Sequence, residues 1–275
     1  MPTNTYRASA RDRELRQLDR SKPAHVRRNP RQKQLRRVKK VKIWLAAVLL
    51  VPLGLITALT LSEMLWRALT RSAFWRTEEF IFFTAGGLTW GAAYLAGCRP
   101  IRAYVFGHEM SHLVVARLFG GKIFDWKVSA QGGYVETNKT NTWITLAPYL
   151  LPFYSLIVLA LFGMAGIVWP LQKTHILQLG SLMFGVKTVW LFYLMLGFTW
   201  FFHATFTTKT VMAEQSDLER NGEFFSLLLI FLINVLLLVA LFLAASPSPG
   251  LGLAELGRCW MGTADGLVQF FTGNW

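Results

Sequence analysis

Four blocks of this chain, residues 43–62, 79–98, 144–169 and 224–245, are long and almost free of charge. A helix needs about 20 apolar residues to cross a hydrocarbon layer. Inside that layer no water satisfies peptide groups, so a spanning segment must bond its own backbone. A fifth block, 176–202, is interrupted by Lys187 and reads as one tilted span or a broken one. The segment 103–119 is short and amphipathic, and could cross only with other protein covering its polar face. The expected fold is an all-α polytopic membrane protein with five to six membrane helices. Composition agrees, because 53% hydrophobic against 16% charged residues is too apolar for an ordinary soluble domain.

Charge is concentrated at one end. Residues 1–42 hold 15 Lys and Arg against 3 Asp and Glu, so nearly all of the formal +14 lies there. Such a block reads as a solvated, disordered arm. Directly before a hydrophobic segment it also reads as a cytoplasmic anchor for anionic lipid headgroups. Nucleic acid is the lesser expectation, since phosphate attraction needs only Lys and Arg. The chain divides into this arm (1–42), a membrane domain (43–246) and a C-terminal tail (247–275). It is expected to be a multi-pass protein of the cell membrane with its N-terminus in the cytoplasm. Cys98 and Cys259 belong to no metal or redox spacing.

The stretch "VFGHEMSHLVVARLFGG" (105–121) places ionisable groups where lipid-facing sequence would have none. Polar groups at membrane depth are expensive and call for a function. His108-Glu109-Met110-Ser111-His112 matches H-E-x-x-H. On a helix, residues i and i+4 share a face, so His108 and His112 can reach one metal ion, with Glu109 beside them as general base toward a water. Zinc suits two imidazoles, one further protein ligand and a water of lowered pKa. Two imidazoles at a helix interface, bonded only to neighbours, are the structural alternative.

Three residues are candidates for the third ligand. Asp217 stands just before the last strong span and is preferred, because a carboxylate suits a catalytic zinc and a helix start favours negative charge. Asp265, in "TADGLVQFF", and His203, after "FTWFF", are the alternatives, and Glu214 is a weaker one. Asn234, within "LLLIFLINVLLLV", would make an interhelical hydrogen bond or donate to an oxyanion. Lys187 is expected to snorkel or to line a polar cavity.

After the motif, the β-prone runs "FDWKVSA" and "YVETN" flank Gln131-Gly132-Gly133 and predict a short hairpin. "LAPYLLPFYSL" then carries Pro148 and Pro152, which kink a spanning helix and free backbone carbonyls. With "GHEMSH", "GGK" and "SAQGGYVE" in this order, the chain resembles the site-2 protease family of membrane metallopeptidases (M50). The resemblance covers mainly residues 103–160 and is looser over 200–235. It implies zinc binding by His108 and His112, water activation by Glu109 and an aspartate ligand from a later helix. The implied activity is a zinc metalloendopeptidase cutting membrane-protein substrates. A metal-binding membrane protein without hydrolytic activity, either a transporter or an inactive scaffold, is the alternative. Two features depart from the family. Asp217 lacks the usual following glycine, and no asparagine accompanies "LAPYLLP".

Overall fold

The computed structural model describes residues 30–71, 73–179, 181–213, 216–245 and 253–273. Helix α1 (Pro30–Leu45) runs through a π-helical turn (Ala46–Leu50) into α2 (Val51–Arg71). The turn has a local cause. Pro52 has no N–H to continue the α ladder, and the Val51 N–H reaches back five residues to the Ala46 carbonyl.

The basic arm is therefore not wholly irregular. Residues 1–29 lie outside the described residues, but helix begins at Pro30, inside the arm. Proline suits a first helical position. Lys, Arg, Gln and Leu are good helix formers, and the adjoining span removes the cost of separate nucleation.

A 3₁₀ turn (Phe74–Arg76) leads to α3 (Glu78–Leu95) and then α4 (Ile101–Leu118), which carries the H-E-x-x-H motif. The hairpin follows as β1 (Ile123–Ser129) and β2 (Gly132–Thr137), antiparallel, with Ser129 opposite Gly132. Its turn is Ala130-Gln131, so Gly132 and Gly133 belong to β2 rather than to the turn. Next come α5 (Thr142–Leu150) and α6 (Phe153–Val168), bent by 74° at the break before Pro152.

The block 176–202 is neither one tilted span nor a simply broken one. It begins as a second hairpin, β3 (Thr174–Leu179) and β4 (Leu182–Lys187), and turns helical only at α7 (Thr188–Val211). Apolar content hid this, because counting apolar residues is blind to their period. Lys187 lies at the end of β4 and donates from Nζ to Glu78 Oε1 at 2.6 Å.

The short α8 (Ser216–Asn221), α9 (Glu223–Ala245) and α10 (Leu253–Thr272) complete the order. The C-terminal tail is thus largely a helix docked on α2. Trp260 Nε1 donates to Thr57 Oγ1 at 3.2 Å, and Thr60 Oγ1 donates to Thr263 Oγ1 at the same distance.

Among the described residues, three helices are long and apolar enough to cross a membrane: Arg37–Thr70, Thr188–Val211 and Glu223–Leu243. The bent pair α5–α6 makes a fourth if it counts as one span. The expected five to six are not reached among the described residues. Helices α3 and α4 have 18 residues each, and neither offers a clean apolar window. One opens with Glu78-Glu79 and the other holds the motif.

Helices α3 and α7 cross with their backbones nearly touching. A Cβ built on Gly86 would lie 1.9 Å from the Leu194 carbonyl, and one on Gly197 equally close to the Phe83 carbonyl. Small residues permit such approach where lipid gives no hydrophobic drive. Below the motif, Leu146, Tyr149 and Leu150 of α5 pack with Leu218 of α8 and with Phe225 and Leu229 of α9. That core holds α8 against α5.

Candidate metal centre

Helix α4 presents its polar groups inward. Glu109 is 4% exposed and Ser111 2%, and the His108 and His112 rings lie 5.0 Å apart between centroids. The helix stops in a Schellman arrangement. Gly120 has φ +71°, its N–H meets the Arg117 carbonyl, and the Gly121 N–H meets the Ala116 carbonyl at 2.7 Å. This turns the chain directly into the hairpin and lays β2 over α4. A Cβ on Gly133 would sit 2.5 Å from Glu109 Cγ and 2.6 Å from the Lys127 carbonyl. Only glycine fits between the glutamate and the facing strand.

His112 Nδ1 lies 2.7 Å from the Ile144 carbonyl. A carbonyl only accepts, so Nδ1 carries a proton, and in the neutral imidazole Nε2 is then the nitrogen with the lone pair. Ile144 belongs to the first turn of α5, which Asn141 caps by accepting the Ile144 N–H at 2.8 Å. Four residues later in the helix stands Pro148, which has no N–H for the Ile144 carbonyl. The proline thus frees the acceptor that orients the histidine, an arrangement typical of metal-ligating imidazoles.

Asp217 arrives on α8, whose position is set from both sides. Gly222, at φ +92°, turns α8 into α9, and Ser226 Oγ donates back to the Leu218 carbonyl at 3.2 Å. On the other side Lys42 Nζ donates to Asn221 Oδ1 at 2.7 Å and to Thr142 Oγ1 at 3.0 Å.

The result is a group of three: one ligand atom from each of His108, His112 and Asp217, all within 4.8 Å of one another. His112 Nε2 and Asp217 Oδ2 are 3.7 Å apart. Tetrahedral coordination with bonds of 2.0–2.2 Å places neighbouring ligand atoms about 3.4 Å apart. Two imidazole nitrogens and a carboxylate oxygen, with the one pair at 3.7 Å close to that spacing, could hold a metal ion.

The other sequence candidates lie elsewhere. His203 lines a small cavity together with His108, Tyr104 and Tyr154, but is not in the ligand group. Asp265 sits on α10, the helix docked on α2, and is also outside the group. Glu214 falls outside the described residues. Asn234 Nδ2 donates to the Tyr149 carbonyl at 3.0 Å and the Ile230 carbonyl at 2.9 Å. Both its amide protons are thereby engaged, and the bond to Tyr149 ties α9 to α5.

Several contributors were not singled out by sequence reasoning. Tyr104 Oη lies 3.4 Å from His108 Nδ1 and 2.6 Å from Thr210 Oγ1, and its ring stacks on Phe206. Tyr104 stands one helical turn before His108, so the i, i+4 rule could have found it. Nothing local marks Tyr149, whose ring meets His108 edge to face at 5.5 Å. Compared with known family models, curated proteins and solved structures, the chain matches none.

Proposed function

We propose that this chain is an intramembrane zinc metallopeptidase hydrolysing peptide bonds of membrane-spanning substrates, as its resemblance to the site-2 protease family implies. The observation that carries this reading is the meeting of Asp217, from α8, with His108 and His112, both on α4, with Glu109 buried beside them but outside the ligand set. That carboxylate is what hydrolysis needs and simple metal storage does not. A bound Zn²⁺ supplies Lewis-acid polarisation and an acidified water.

The chain's own groups do the rest. The Ile144 carbonyl holds His112 with Nε2 facing Asp217. The Glu109 carboxylate accepts the proton of the attacking water and returns it to the leaving nitrogen. Gly133 and the Lys127 carbonyl of the hairpin cover Glu109 and limit its motion. The exposed Arg37, Lys39 and Lys40, at the edge of the first span, would meet anionic headgroups.

The test is Glu109→Gln in the full chain. It should retain zinc and lose cleavage of a reporter bearing one apolar membrane helix. Undiminished cleavage by a zinc-loaded Glu109→Gln protein would remove this mechanism.

A further inference from the structure

Tyr149 is among the most completely enclosed large side chains of the described residues, 1% exposed, and its hydroxyl has no hydrogen-bond partner among them. A buried hydroxyl without a partner is destabilising, and a fold that retains one has another use for it. Its surroundings indicate that use. The ring stands edge-on to His108 at 5.5 Å, next to the group that His108 forms with His112 and Asp217. The backbone that carries it is pinned, because the Tyr149 carbonyl accepts from Asn234 of α9. Tyr149 is therefore a donor held beside the ligand group with no acceptor among the described residues.

We infer that the Tyr149 hydroxyl is the electrophilic donor of the reaction, hydrogen-bonding the oxyanion of the tetrahedral intermediate. This rests on the peptidase reading above. In the step, the water oxygen bonds to the scissile carbonyl carbon and the C=O π pair moves onto oxygen. Tyr149 Oη–H donates to that oxygen and keeps its proton. Glu109 takes the water's proton and delivers it to nitrogen as the C–N pair departs with the amine. Preorganised donors of this kind act without reorganising when charge develops. The neighbouring amide donor, Asn234, has both protons committed to carbonyls.

The experiment uses full-length protein in detergent, wild type and Tyr149→Phe. It measures zinc affinity, thermal stability of the metal-free form, and affinity for a phosphonamidate analogue of a Leu-Leu dipeptide, which mimics the tetrahedral oxyanion. Tyr149→Phe should bind zinc as the wild type does and melt no lower, since it removes only an unpartnered group. It should lose about 100-fold or more in analogue affinity and in turnover of the membrane-helix reporter, in line with removal of one oxyanion donor. Unchanged analogue affinity overturns the assignment. So does a loss accompanied by weaker zinc binding or a lower melting temperature, which marks a structural role. If wild type binds zinc and analogue while Tyr149→Phe matches it, the tyrosine's role alone falls. If wild type binds neither, the peptidase reading falls and takes the tyrosine with it.

Discussion

The imidazole of His112 and the main-chain carbonyl of Ile144 are joined by a 2.7 Å hydrogen bond, and the acceptor is free because Pro148 follows four residues later. A proline in a short apolar helix thereby becomes part of the ligand geometry on another helix. A 74° bend then separates α5 from α6.

Restoring the missing N–H tests this link. In Pro148→Ala the new amide competes for the Ile144 carbonyl, which has two lone pairs and can be shared. Zinc affinity should fall by about 10-fold, the lower end of what outer-shell partners of ligands contribute. Helix content should not decrease. Competition against a chelator reads the affinity, and an unchanged value would mean that His112 needs no such partner.

Gly133 should be as sensitive as a catalytic residue while touching no ligand. Its Cβ would press on Glu109 and on the Lys127 carbonyl, and the latter is backbone that cannot swing aside. Gly133→Ala should keep zinc but lower turnover by roughly 100-fold, the scale expected for misplacing a reacting group by about 1 Å. Wild-type turnover in that variant would show that the hairpin leaves Glu109 unconstrained.

Lys42 links the end of the basic arm to the helix of Asp217. Replacing it with Met removes the donor to Asn221 and Thr142, although these two still bond each other at 3.0 Å. Lys42→Met should weaken zinc binding by roughly 10-fold through displacement of α8. The reporter's KM should barely move. Equal zinc affinity in both proteins would separate the arm from the site.

Glu78 provides a pH-dependent contact outside the spans. The hydrogen bond from Lys187, followed by that from the Trp190 indole, holds its carboxyl below the usual range. A depressed folded-state value means stability that is present above the unfolded value and lost as pH falls through the folded one. The side chain is 40% exposed, so solvent screening limits the contribution to about 1 kcal/mol or less. Wild type should melt slightly above Glu78→Gln at pH 7, and the gap should close below about pH 4. A gap that widened on acidification would contradict the pairing.

Local spacing alone brought much of this protein into view. The i, i+4 repeat of His108 and His112, the Gly120-Gly121 stop and the β-prone runs after it are short-range features, and a helix or hairpin expresses them wherever it lies. Long apolar runs likewise announce membrane helices. Period was less legible, which is why residues 176–187 read as part of a span and belong to a hairpin instead. Tertiary packing decided what no spacing encodes: that Asp217, rather than Asp265 or His203, lies with the two histidines. It also brought the Ile144 carbonyl to His112, closed Gly133 over Glu109 and left the Tyr149 hydroxyl enclosed without a partner among the described residues. The physical reason is that such contacts join residues far apart in the chain. Their geometry depends on how whole helices seat against one another, and one-dimensional pattern carries no record of that.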